Sequence, residues 1–291
     1  MLYAKAAARE AQRRAVEAQL YAREAARAVP GPPAHLPPES APWDGDAVDA
    51  ALERRLRLLA LPLALALAFV LAKGGFTHLL MRMFLGMWVH EIGHAAAAWL
   101  CGFPAFPGPW LTPIASQRSP LFALLLFAGL AAMLAHGLRT RKPALAWAGG
   151  ALLLAQLTGT ALLRPDAARA LILFAGDGGM LVLGALLMAT LYARPGSALH
   201  RGWLRWGFLA IGAASFVDAF EQWWGARTDP DRIPFGMNEG VGLSDPSRLS
   251  EDYGWSTTQL VSRYVALGCA CLLALAVVWL LGLRRPRAGG A

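Results

Sequence analysis

The sequence predicts an all-α protein, a polytopic helical membrane protein with about six or seven transmembrane segments. Composition is the first observation behind this. Of 291 residues, 56% are hydrophobic and only 16% charged, whereas a soluble domain carries about 25% charged residues. Hydropathy is the second. Its mean is +0.42, and a window of about 19 residues resolves seven apolar runs, near 56–72, 76–100, 120–138, 143–163, 170–193, 203–224 and 260–283.

Residues 1–28 are rich in Ala, Glu and Arg and lack Gly and Pro. They are good helix formers, so a soluble or surface helix is expected. Residues 29–55 form a Pro-rich linker and the approach to the membrane, with Pro30, Pro32, Pro33, Pro37, Pro38 and Pro42 blocking helix at its start. The helical transmembrane domain then covers 56–283. Its first run holds only about 17 apolar positions, the short limit for crossing, and carries Pro62. A re-entrant or interfacial segment is the alternative there.

The net charge of +8 gathers at the N-terminal region, the Arg139–Lys142 turn, the Arg194–Arg205 connection and the basic tail 284–291. Such placement reads as orientation signals rather than a nucleic-acid footprint, so the expected partner is the lipid bilayer and not nucleic acid. Basic loops should share the cytoplasmic side. Three runs lie between the N-terminus and Arg139, so either one early segment does not cross or the N-terminus lies outside, and the first is the expectation. The loop 225–259 then faces the other side, and its acids (Asp229, Asp231, Glu239, Asp245, Glu251, Asp252) form a polar cap of a length that is commonly functional or separately structured. Cys101, Cys269 and Cys271 have neither disulfide nor metal-site spacing.

The chemistry sits in the second run. Trp88 to Leu100 reads W-V-H-E-I-G-H-A-A-A-A-W-L, a His-Glu-x-x-His pattern within an apolar stretch. On a helix, His90 and His94 project from one face and can grip one zinc ion, with Glu91 placed to act as proton acceptor and donor for the metal's water. Zinc lowers the pKa of that water to about 7, so the implied reaction is hydrolysis, with Glu91 as the catalytic residue.

A third protein ligand is required if the fourth position is to stay open. Asp177 lies in F-A-G-D-G-G-M, where glycines let helices approach closely. Asp218 and Glu221 lie three apart in the sixth run, and His136 ends the third. A carboxylate at a helix centre costs about 2.5–3.5 kcal/mol in the bilayer, whereas zinc binding to structural sites is worth about 10–16 kcal/mol. A bound metal therefore offsets both Glu91 and Asp177. His35, His78 and His200 are given no role.

The H-E-I-G-H-A-A-A-A run followed by Gly102 resembles the zinc motif of the site-2 protease family, the M50-type intramembrane zinc metalloproteases. That resemblance covers roughly residues 76–193, the expected metalloprotease-like core. It implies a zinc held by His90, His94 and an aspartate of a later helix in an Asp-Gly element, here Asp177, which follows His94 by 83 residues. It also implies a membrane protein or membrane-proximal peptide as substrate and, by extension, a bacterial inner (plasma) membrane. The alternatives are a non-proteolytic scaffold or sensor with a structural zinc site, which has no use for Glu91, and a transporter, which the lack of repeated halves disfavours.

Overall fold

A computed structural model describes residues 2–27, 45–193, 197, 199, 203–238 and 242–284. The architecture is all-α, with a short hairpin as its only sheet among the described residues. The chain divides into two compact units, Met1–Ala51 and Leu52–Ala291. In the first, α1 (Leu2–Arg27) is the expected N-terminal helix, with i,i+4 ion pairs Arg13–Glu17 and Arg14–Glu10, a spacing that supports an exposed helix. The Pro-rich part of the linker lies outside the described residues. Helix α2 (Gly45–Lys73) begins earlier than expected and runs through Pro62 without ending.

Among the described residues, five helices are long and apolar enough to cross a membrane: Leu52–Lys73, Pro120–Arg139, Pro143–Leu162, Pro165–Tyr192 and Thr257–Leu283. That fits an integral membrane protein. It is fewer than the six or seven expected, for two identifiable reasons. The run at 76–100 is one continuous helical stretch, α3 (Gly75–Met81), a π-helical turn (Arg82–Gly86) and α4 (Met87–Leu100), but Arg82, His90, Glu91 and His94 make it too polar to count among the crossing candidates. The run at 203–224 is α8 (Leu204–Gly225). It has the length, but with Arg205, Asp218 and Glu221 it is not among the helices apolar enough to cross.

Beyond α4, the chain makes a loop over 101–119 pinned by an antiparallel bridge between Ala105 and Ile114, followed by the pair α5 (Pro120–Arg139) and α6 (Pro143–Leu157). Helix α7 (Pro165–Ala189) is the centre of the fold. Of its most apolar stretch 56% is buried, against 6–17% for the other crossing candidates. Lipid offers little hydrophobic drive between helices, so small residues and close packing must hold α7 in place. Gly93 of α4 and Gly179 of α7 meet backbone to backbone: a Cβ on Gly179 would lie 2.5 Å from the Cα of Gly93.

The 225–259 loop carries its own structure: a 3-10 turn (Pro230–Arg232), the hairpin β1 (Met237–Asn238) with β2 (Gly242–Leu243), and α9 (Asp245–Glu251). Ser244 caps α9 by accepting from the Ser247 N–H, and Leu249 of α9 is fully buried in the core. Helix α10 (Thr257–Arg284) closes the bundle.

Candidate metal centre

Helix α4 presents His90 and His94 one turn apart, and the glycine contact just described sets them against α7. A methyl group on Gly176 would stand 2.5 Å from His90 Cε1 and 2.7 Å from the Nε2 atoms of both histidines. Glycine at that position is what leaves room for the two rings.

Each imidazole has its Nδ1 side occupied. His94 Nδ1 donates to the Ile172 carbonyl at 2.7 Å, and His90 Nδ1 donates to Asp177 Oδ1 at 3.1 Å. Hydrogen bonds of this kind fix the ring's orientation and leave Nε2 as the metal-binding atom. Asp177 is itself held by Trp223 of α8, whose indole N–H donates to Oδ2 at 2.8 Å. Tyr264 stacks between Trp223 and Phe174 beside it, with ring centroids 4.0 Å and 4.3 Å away.

The two Nε2 atoms converge on one carboxylate oxygen, and it belongs to Asp245. Asp245 Oδ2 lies 3.2 Å from His90 Nε2 and 3.0 Å from His94 Nε2, and the two nitrogens are 3.1 Å apart. Four-coordinate tetrahedral zinc with ligand bonds of about 2.0–2.1 Å separates neighbouring ligand atoms by about 3.3 Å. A triangle with edges of 3.0–3.2 Å is thus close to one face of that tetrahedron. His90, His94 and Asp245 form the one group of potential metal ligands found among the described residues. Burial alone would raise the Asp245 carboxyl, but the facing imidazoles of His94 and His90 outweigh it and hold the group well below the usual carboxylate range.

The expected ligand Asp177 is therefore present at the site but on the other side of His90. It approaches Nδ1, the position of an orienting partner, while Asp245 is the carboxylate that faces both Nε2 atoms. The physical reason is that α7 runs behind the imidazoles and α9 in front of them. Asp218 and Glu221 are elsewhere, paired with His78, Arg82, Lys73 and Arg232. His136 sits near the end of α5, where its carbonyl accepts from Thr140. His35 and His200 lie outside the described residues.

Glu91 is buried beside the pair. Its Oε2 accepts from the Thr112 hydroxyl at 2.7 Å, and that hydroxyl also lies 3.0 Å from the Glu91 carbonyl. Thr112 comes from the 101–119 loop, which is held to α4 by the Trp99 indole N–H donating to the Ala105 carbonyl. The chain matches no family model, no curated protein and no solved structure. Function must accordingly be argued from these side chains.

Sequence reasoning did not bring Asp245 to the histidine pair, nor Trp223 to Asp177, nor Thr112 to Glu91. For Asp245 a local signal existed. Ser244-Asp245-Pro246 is a helix-start pattern, with a capping serine and a proline in the first turn, so a carboxylate was fixed at a helix start within an otherwise irregular loop.

Proposed function

We propose that the protein is an intramembrane zinc metalloprotease of the site-2 protease kind, acting in a bacterial plasma membrane on membrane-embedded or membrane-proximal peptide segments. The observation that carries this reading is the triangle of His90 Nε2, His94 Nε2 and Asp245 Oδ2 beside the buried carboxylate of Glu91. A structural site closes all four positions with protein ligands, whereas three ligands and a neighbouring carboxylate fit a hydrolytic one. The metal, when bound, supplies a Lewis acid for the scissile carbonyl and an acidified water at its open position.

The remaining work falls to the chain. Asp177, clamped by Trp223, and the Ile172 carbonyl keep the two imidazoles in the tautomer that leaves Nε2 free. Glu91 takes the proton of the attacking water and returns it to the departing amine. Thr112 holds the Glu91 carboxylate, and the irregular Gly102–Pro109 stretch of the same loop, which proline excludes from regular helix, forms the wall along which an extended peptide approaches.

The test uses purified full-length protein in detergent, with zinc measured per chain and cleavage of a library of single-span membrane peptides read by mass spectrometry. Wild type is expected to hold about one zinc and to cleave. Glu91→Gln should keep its zinc and lose about 10²–10⁴-fold in rate, the range for positioned acid–base groups. Wild type without zinc after supplementation, or Glu91→Gln cleaving as fast as wild type, overturns the reading.

A further inference from the structure

The metal centre lies toward one end of the helical bundle, and helix α7 gives its depth. His94 meets the Ile172 carbonyl and His90 meets Asp177, both within the stretch Pro165–Tyr192. At a rise of 1.5 Å per residue, Ile172 and Asp177 stand about 10 and 18 Å from the Pro165 end and about 30 and 23 Å from the Tyr192 end.

The loops that reach the centre both come from the nearer end. Asp245 belongs to the connection between α8 and α10, and Thr112 to the 101–119 loop. Arg118 ties that loop to the start of α7 by donating to the Gly159, Thr160 and Leu163 carbonyls. Exposure rises in the same direction. The Asp245 side chain is 23% exposed, against 12% for His90, 9% for His94 and 7% for Asp177, so the centre opens toward the loops.

The opposite end is basic. There the Tyr192 hydroxyl donates to the Arg57 carbonyl at 3.0 Å, the Trp279 indole to the Leu58 carbonyl at 3.1 Å, and Arg205 to Glu53 at 3.0 Å, which brings the early part of α2 to the end of α7, the last turns of α10 and the start of α8. The Arg139–Lys142 turn lies at this end as well, because α5 starts next to Arg118 and its 20 residues carry the chain about 30 Å away. The sequences at this end are Glu53-Arg54-Arg55-Leu56-Arg57, Arg139-Thr140-Arg141-Lys142, the Arg194 to Arg205 connection and the Arg284-Arg285-Pro286-Arg287 tail, with Glu53 the one acid among them. Residues 225–259, at the metal end, hold six acids against three arginines. Lys and Arg in short loops mark the cytoplasmic side of a membrane protein.

We propose that the metal centre faces the extracytoplasmic side, takes its metal from there, and cuts peptide bonds in the outer half of a substrate's span or just beyond it. The substrate rests on the metalloprotease reading above, whereas the side on which the centre opens rests on the fold and the charges. The test uses the full chain in sealed membrane vesicles, right-side-out and inverted. Glu251→Cys on α9 and Lys142→Cys in the α5–α6 turn, both at exposed positions, are treated with a membrane-impermeant maleimide and scored above the wild-type cysteine background. EDTA, which does not cross the bilayer, is added to wild type and the retained zinc is measured. Cleavage is read by mass spectrometry on a coexpressed reporter of known orientation, tagged at both ends and built on a single-span peptide that the purified protein cleaves.

In right-side-out vesicles Glu251→Cys is expected to label and zinc to be lost. Lys142→Cys should label only in inverted ones, and the reporter should be cut in its outer half. The reverse labelling, or zinc stripped only from inverted vesicles, overturns the proposal. Cuts confined to the cytoplasmic half overturn it too, and leave the protease reading standing. A wild type that holds no zinc and cleaves no peptide overturns the protease reading and the substrate claim with it, and the two cysteines still decide the side.

Discussion

The polar cluster around His90 and the one around Asp218 both draw on α8, yet they are built on opposite charge plans. Around His90, Glu91, Asp177 and Asp245 are met by histidine nitrogens, an indole N–H and a hydroxyl. Among the described residues, no lysine or arginine hydrogen-bonds to any of the three. Around Asp218, each carboxylate is met by two basic groups. An uncompensated buried charge is strongly unfavourable, so the first cluster lacks positive charge and the second does not. The first group could hold a divalent cation, whereas in the second the carboxylates are already paired with cations. Residue type alone does not separate them, because both contain His and Asp. What separates them is whether lone pairs converge on a point or are already taken by cations.

The sharpest way to break this comparison is to remove one aspartate from each cluster. Asp245→Ala should abolish stoichiometric zinc, lowering affinity by more than about 100-fold, because a ligand is lost from a three-ligand set. Asp218→Ala should leave zinc at the wild-type level while lowering stability, since it strands Arg82 in a partly buried position. Removing one member of a buried pair costs about 3–5 kcal/mol. Zinc per chain and thermal midpoints measured on the two variants together check both halves. Zinc lost with Asp218 and kept with Asp245 would invert the assignment.

A smaller effect sharpens the first cluster from within. Asp177→Asn keeps a hydrogen-bond acceptor for His90 but removes the charge that favours its orientation and basicity. Loss of such an outer partner costs about 10–100-fold in metal affinity. Competition with a chromogenic chelator should show a drop in that range, well short of the effect of Asp245→Ala. Equal losses in the two variants would mean that Asp177 also binds the metal directly.

How far the sequence could be read follows from the range of the interactions involved. His90, Glu91 and His94 were legible because a helix repeats every 3.6 residues and the three lie within two turns. Asp177 was legible as a participant, because its flanking glycines signalled close helix contact, and the structure uses Gly176 and Gly179 in that way. Its role was not legible. Which side of an imidazole a carboxylate meets depends on how two helices and a loop dock. Asp245 lies 151 residues beyond His94 in a loop with no periodicity, so no local pattern ties it to the motif. The spans show the same limit. A hydropathy window averages Arg82, His90, Glu91 and His94, or Arg205, Asp218 and Glu221, with their apolar neighbours, and so read 76–100 and α8 as crossings although neither is apolar enough to count among the candidates.

The mildest variant probes the joint between the 101–119 loop and α4. Thr112 and Val have nearly the same shape, so Thr112→Val removes the hydroxyl that donates to Glu91 Oε2 with little change in packing. Hydrogen bonds to charged groups are worth about 1.5–3 kcal/mol, but part of this is regained as Glu91 turns to water or substrate. If Thr112 positions the carboxylate for proton transfer, kcat should fall about tenfold, equivalent to about 1.4 kcal/mol in the barrier. KM and zinc content should stay near wild type, and Thr112→Ser should restore the rate because it returns the donor. A loop that only shapes the substrate path would show the reverse pattern, with KM raised, kcat unchanged and no rescue by serine. The split between kcat and KM in this one position therefore decides whether the loop after α4 takes part in the chemistry or only in access to it.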